Sequence, residues 1–268
     1  MQLTQEQLRQ FNEDGFLILP QLFSVDEVEV LRAAMNRVFL QDTAANVKEK
    51  SSDVVRTAFG LHLRDEVFGK LVRHPRFVEP AQQIAGPNLY VQQSKINVKE
   101  AITGEMWQWH QDFATHHRDD GVPQPLALNL HVFLDDVNEF NGPLYFIRGS
   151  HRVGSSEAFY DTTTTSHPLW VVPSEIVKNV GEQRDLVSAT GPAGTALIFG
   201  DSLIHGSPPN LSPWTRAIFS LILNPVDNRC TKDKRPEHIH HRDFTPVAAL
   251  TDGCLTDTSE LPKREATA

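Results

Sequence analysis

Cysteine is nearly missing from this sequence: Cys230 and Cys254 are the two in 268 residues. Two cysteines exclude a disulfide framework and a thiolate metal site. Long apolar runs are missing too, with nothing near the roughly 18 residues a membrane helix needs. The opening MQLTQEQLRQ holds no apolar signal core. Basic residues are outnumbered, 25 against 34 acids, for a net charge of −9. Without a Lys/Arg cluster, that balance excludes a nucleic-acid or anionic-membrane surface. No internal repeat or low-complexity tract is present. The expectation is a cytoplasmic protein acting on a small molecule, as a monomer or a homodimer.

What is there is organised in two textures. Residues 1–88 read as a helical front. Thr4 with Gln7 and Ser24 with Glu27 have capping-box spacing. The second opens VDEVEVLRAAMNRVF, where Val28, Leu31, Met35 and Val38 share a helical face. DGFLILPQLF is a strand broken at Pro20, and PRFVEPAQQIAG a helix stopped at Gly86 and Pro87. The charged stretch 45–56 is expected to be a mobile loop. From residue 89 to about 247 the body is β-rich. LYVQQSKINV, GPLYFI, TALIF and RAIFSLIL are strands between Gly, Pro and Asn turns. LALNLHVFL alternates, with Leu128, Leu130, Val132 and Leu134 on one face and Asn129, His131 and Phe133 on the other. Residues 155–190 form a polar insertion long enough for a lid, and 251–268 a flexible tail. The whole is a single α+β unit, mainly β, of sandwich or barrel type.

One stretch, MWQWHQDFATHHRDDG (106–121), crowds histidines and carboxylates beside tryptophans. His110 and Asp112, one residue apart, reach one metal ion if their segment is extended. Such a pair is common by chance. It gains weight from IFGDSLIHGSPPNLSPWTR, where His205 follows an apolar strand and Arg216 comes eleven residues later. Two histidines and a carboxylate make a facial triad with open coordination positions. A chelating 2-oxo acid and dioxygen suit those positions. The distal carboxylate of such an acid calls for a permanent planar cation, Arg rather than Lys.

WHQDF, NGPLYFIRGSH and HGSPPNLSPWTR together resemble the phytanoyl-CoA dioxygenase family of iron(II)/2-oxoglutarate oxygenases. Within it, bacterial hydroxylases of free amino acids look nearest and ectoine hydroxylase somewhat further off. The likeness covers about residues 10–247. It implies a double-stranded β-helix (jelly-roll) core with helices outside, iron(II), 2-oxoglutarate and dioxygen as cofactor and co-substrates, and ascorbate as activator in vitro. It implies His110, Asp112 and His205 as iron ligands, Arg216 on the distal carboxylate, and Asn97 and Ser207 beside the co-substrate. Family halogenases replace the carboxylate ligand; Asp112 is intact, so hydroxylation of an unactivated C–H bond is expected. No Lys/Arg cluster would hold the phosphates of coenzyme A, so the substrate is expected to be small, a free amino acid or a derivative.

Substrate anchors are expected at Gln93 and Lys95, on the face of Asn97, and the resemblance implies Thr115 and His116, which follow Asp112 in a segment over the substrate. The resemblance adds Arg242, in HRDF. Plainer readings stand beside these. His131 and His151 read as structural, His117 as a solvated loop residue, and EHIHH (237–241) as an exposed strand end. Trp107, Trp109 and Phe113 read as core or cavity wall. The same iron chemistry on a larger metabolite scaffold is one alternative, and a jelly roll that binds without turnover is another.

Overall fold

The computed structural model describes residues 1–50 and 52–257. Both capping boxes form. The Thr4 hydroxyl accepts from the Gln7 N–H at the head of α1 (Gln5–Asp14), and Ser24 does the same for Glu27 at the head of α2 (Val25–Phe39). Between them lies β1 (Phe16–Leu19). Then come β2 (Asn46–Lys48), β3 (Val55–Phe59), α3 (Leu61–Arg64), α4 (Glu66–Leu71) and α5 (Pro75–Ala85). The β-rich body starts with β4 (Leu89–Lys99), β5 (Trp107–His110), α6 (Asp112–Arg118), β6 (Leu128–Phe133) and β7 (Leu144–Ile147). It continues through β8 (Phe159–Asp161), β9 (Leu169–Val171), α7 (Ser174–Gly181) and β10 (Leu186–Ala189). β11 (Ala196–Gly200), β12 (His205–Ser207) and β13 (Arg216–Pro225) complete it.

Seven strands pair in the order β1-β11-β6-β13-β4-β3-β2 and four in the order β10-β7-β12-β5, while β8 and β9 form a hairpin. Neighbours in both sheets run antiparallel. The outer face of the large sheet packs on the helical front. Leu130 and Val132 of β6 and Phe219 and Leu221 of β13 meet Val28, Leu31, Phe68 and Phe77 there. The inner faces of the two sheets share a second core, with Phe133, Phe199 and Ile218 against Leu144 and Phe146. This is the expected jelly roll, mainly β, with helices on its outside. No helix among the described residues is long and apolar enough to cross a membrane.

Two expectations change, for 45–56 and for the tail, and the insertion between them gains its elements. The charged stretch 45–56 is not a loose loop: it contains β2 and the start of β3, and Arg56 and Glu49 are buried. Its charges are paired inward, Arg56 Nη1 donating to Glu105 at 2.8 Å and to Glu49 at 3.3 Å. The insertion 155–190 carries the β8–β9 hairpin, α7 and β10. The tail begins with packed residues, since Asp252 pairs with Arg76 at 2.8 Å and Cys254 and Leu255 are buried. Residues 258–268 lie outside the described residues.

Candidate active site

β5 and β12 are neighbours in the small sheet, and their register sets His205 opposite His110. The two imidazole centroids lie 4.1 Å apart. His110 Nδ1 donates to the Gln108 carbonyl at 2.6 Å and His205 Nδ1 to the Leu203 carbonyl at 2.9 Å. A carbonyl only accepts, so both Nδ1 atoms carry a proton and both Nε2 atoms are the ones turned toward the site. They point to one carboxylate: Asp112 Oδ1 is 3.5 Å from His110 Nε2, and Oδ2 is 3.7 Å from His205 Nε2. Asp112 does not continue the strand as the one-residue spacing suggested. Gln111 is extended, and Asp112 is the first residue of α6, so the chain turns and brings the carboxylate back over both rings. Asn129 of β6 holds it, donating to Oδ2 at 3.0 Å.

Electrostatics keep these donors in ligand form. Burial, then His110 alongside, pushes His205 down to about 4, so its imidazole stays neutral. Burial alone would raise the Asp112 carboxyl, but His205 and His110 outweigh it and hold Asp112 well below the usual range. The ligand atoms of His110, Asp112 and His205 all lie within 4.8 Å of one another. Two imidazoles and a carboxylate are a donor set for ferrous iron.

The cavity beyond the triad has about 60 Å³ of free space, where roughly 10–15 Å³ admits one water. Its floor is the inner face of the large sheet, read as rows across β4, β13 and β6: Lys99–Arg216, Asn97–Ile218–Phe133, Lys95–Ser220–His131, Gln93–Ile222–Asn129. Trp107, Leu144 and Ile218 supply apolar wall, and Lys95, Asn97, Ser207 and Arg216 polar lining. Arg216 is 2% exposed. Its Nη2 donates to the Ser207 hydroxyl at 3.1 Å and to the Gly142 carbonyl. Its Nε has no partner, and no carboxylate of the described residues forms an ion pair with it. Burial pushes this guanidinium down to about 9. A buried cation left in that state fits an anionic ligand. Gly142 permits the arrangement: its φ is +78°, and a Cβ there would stand 2.6 Å from the Lys99 side chain.

The expected site residues therefore divide. His110, Asp112, His205, Arg216, Asn97, Ser207 and Lys95 come together around the cavity. The Lys95 ammonium makes no hydrogen bond or ion pair with the described residues, and burial lowers its pKa, opposed by Asp112. Gln93 is on the same face one row further, with its amide donated to the Ile239 carbonyl at 2.7 Å. Thr115 and His116 ride on α6 without lining the cavity. His116 is buried, and its Nδ1 lies 3.4 Å from Asp201. Arg242 is turned away: it pairs with Glu237 at 2.7 Å and donates to the Arg235 carbonyl, because its segment folds back on itself. EHIHH is not an exposed end. His240 is fully buried 3.3 Å from Asp120, and His241 packs edge-on to His62.

Three residues of the site escaped the pattern. Lys99 is buried beside Arg216, its Nζ donating to the Ser207 and Pro208 carbonyls, and burial with Arg216 pushes it down to about 5. Strand alternation from Lys95 and Asn97 points to it. Asn129 and His131 lie on the polar face of β6, and that face is the cavity floor. Trp107 lines the cavity with Arg56 stacked on its ring at 4.3 Å, whereas Trp109 packs outward with Ile147, Val180 and Ile204.

The family model for phytanoyl-CoA dioxygenase (PhyH) matches residues 11–218. The ectoine dioxygenase of Bordetella parapertussis is 36% identical over 255 residues, covering 90% of this chain and 83% of that protein. The L-proline trans-4-hydroxylase of Streptomyces griseoviridis is 38% identical over 253 residues, covering 90% and 93%. The crystal structure of EctD from S. alaskensis with 2-oxoglutarate and 5-hydroxyectoine superposes with a TM-score of 0.81 at 31% identity, over 92% of this chain and 86% of that one. The same protein with bound iron gives 0.82 at 30% identity, over 92% and 87%. The chain belongs to the phytanoyl-CoA dioxygenase family and is a non-haem iron dioxygenase that uses iron(II), 2-oxoglutarate and dioxygen.

Proposed function

We infer that the enzyme hydroxylates an unactivated C–H bond of a small carboxylate-bearing molecule, an amino acid or an amino-acid derivative. The observation that carries this reading is Lys95: a lysine on the cavity floor, near Asp112 and without a partner of its own. An unpaired ammonium in that position is met by a substrate carboxylate. The relatives that act on ectoine and L-proline support a substrate of this size. Bound at the triad, iron supplies the oxidative decarboxylation of 2-oxoglutarate to succinate and carbon dioxide, coupled to insertion of one oxygen atom into the C–H bond.

The protein's part is placement. His110, Asp112 and His205 hold the metal, with Nδ1–carbonyl bonds fixing both rings. Arg216, with Ser207, Asn97 and Lys99 around it, takes the distal carboxylate of 2-oxoglutarate. Gln93 borders the substrate side, where Thr115 and His116 support the position of α6 from behind the cavity. Trp107, Leu144 and Ile218 exclude water. The lining, free of any basic cluster beyond these groups, suits a small diffusible substrate rather than nucleic acid or a membrane surface. We place the enzyme in the cytoplasm, as a single oxygenase unit, monomeric or homodimeric.

A panel of free amino acids and derivatives, incubated with enzyme, iron(II), ascorbate and 2-oxoglutarate, is the test. The expected result is substrate-stimulated succinate formation and a product heavier by one oxygen atom; no stimulation by any member defeats the amino-acid reading. His110→Ala is expected to abolish succinate formation while the circular dichroism spectrum stays unchanged.

A further inference from the structure

The segment joining β8 to β9 carries one histidine, His167, whose ring is packed while its nitrogens go unused. The ring lies against Trp107 with centroids 5.4 Å apart and against Phe59 at 6.1 Å. Those contacts hold it beside a residue that lines the cavity. Neither nitrogen hydrogen-bonds to the described residues, and neither is sealed in the way the unpartnered nitrogens of His62, His131 and His240 are. The ring therefore opens on free space.

The charges around it say what that space suits. Lys95, Arg56, Arg235 and His110 all act on His167, Lys95 the most strongly of the four. Arg56 is answered by Glu49 and Glu105, and Arg235 by Asp120 at 2.7 Å. His110 belongs to the metal triad. Lys95, on the cavity floor, is the cation left without a partner among the described residues. Burial, then Lys95, pushes His167 down to about 3, so its imidazole is neutral and keeps one N–H to donate. An ammonium and a neutral N–H donor in the same space fit one negatively charged group: the first supplies an ion pair and the second a hydrogen bond.

We propose that His167 donates a hydrogen bond to the same substrate carboxylate that Lys95 meets, one from the β8–β9 segment and the other from the sheet floor. This rests on the amino-acid reading above. The backbone that presents the ring is anchored, since the preceding Ser166 is bonded to Glu105 through both N and Oγ. His167 is then a substrate contact that selects for an acid group, with Trp107 as the wall that positions it.

The test uses the iron(II)-loaded enzyme and the same panel of amino acids, the probe being the member that stimulates succinate formation most. His167→Phe keeps a ring against Trp107 and Phe59 and removes both nitrogens. It is expected to raise the KM for that amino acid on the order of tenfold, with the KM for 2-oxoglutarate unchanged and kcat changed less. His167→Gln, which retains a donor, is expected to recover part of the loss. In a Lys95→Met background, His167→Phe is expected to cost less than it does alone, because both side chains act on one carboxylate. An unchanged amino-acid KM in His167→Phe means that the ring acts by packing alone and overturns the proposal. An equal rise for 2-oxoglutarate, or a fully additive effect with Lys95→Met, overturns it as well. If His167→Phe does not fold, His167→Ala with an unaltered circular dichroism spectrum carries the same measurement. No stimulation of the unaltered enzyme by any panel member defeats the amino-acid reading and this contact with it, a failure seen before any variant is made.

Discussion

At the scale of single residues, Arg216 is the most exacting side chain in the site. It is 2% exposed, burial lowers its pKa to about 9, and its Nε has no partner. A guanidinium presents its donors in a planar fork that meets a carboxylate with two bonds, whereas an ammonium is a point charge on a flexible stem. Arg216→Lys keeps the positive charge and loses the fork. The expected outcome is a 2-oxoglutarate dissociation constant raised roughly 10–100-fold, with the iron(II) affinity unaffected. Calorimetry on the metal-loaded protein measures both. An unchanged 2-oxoglutarate constant would remove Arg216 from the co-substrate site.

At the scale of elements, the segment joining β8 to β9 is fastened to the strands around the cavity by a buried ionic cluster. Arg56 of β3 donates to Glu49 and Glu105, and Glu105 accepts from Ser166 N at 2.6 Å and from Ser166 Oγ at 2.9 Å. His167, the next residue, packs on Trp107 with centroids 5.4 Å apart. Glu105 thus makes two of the bonds that fasten residues 161–168 over the cavity wall, beside those of Lys50 to Thr165 and Ser166 and of Gln108 to Asp161. Glu105→Gln cannot accept with the same strength at both oxygens. It is expected to speed amide exchange in 161–168 and to raise the substrate KM several-fold, with kcat changed less. Exchange rates equal to those of the unaltered enzyme would show that the cluster does not hold the segment. Such clusters also explain what was legible in the sequence. β4, β6 and β13 announce themselves because period-two alternation separates a helix-facing row from a cavity-facing one. The triad and Arg216 were legible because their spacing straddles strand ends. β2 and β3 were not, since Glu49 and Arg56 look like solvated charges until Glu105, about fifty residues away, is seen to complete the pair. The start of α6 was hidden for a similar reason: Asp112 caps no obvious helical pattern, and its position is fixed by Asn129 from another strand.

At the scale of the molecule, the site exists only while the two sheets face each other. The triad hangs from the small sheet and α6, and most of the polar side chains proposed to meet the organic ligands, Lys95, Asn97 and Arg216, stand on the large one. Folding therefore buries histidines in neutral form, and that makes stability depend on pH. His205, His62 and His240 are each pushed down to about 4, chiefly by burial. In the unfolded chain they titrate near 6.5. Between those values the unfolded chain binds protons that the folded protein refuses, so stability falls as pH falls, by about 1.4 kcal/mol per pH unit for each such histidine. Asp112, held low in the folded state, adds to the loss at still lower pH. Asp201 opposes it: burial raises its carboxyl to about 6, so the folded state gains a proton first and recovers the share of roughly one histidine. Three histidines outweigh one aspartate. The metal-free protein is expected to melt at nearly the same temperature at pH 7.5 and 6.5, then at sharply lower temperatures at 5.5 and 4.5. Iron(II) under anaerobic conditions competes with protons for the His205 imidazole, so the loaded protein should hold its melting temperature to lower pH than the metal-free one. Differential scanning calorimetry over this range, with and without metal, decides the matter. A metal-free melting temperature independent of pH down to 4.5 would mean that these histidines are not buried neutral, and that the donor set is not preformed by the fold.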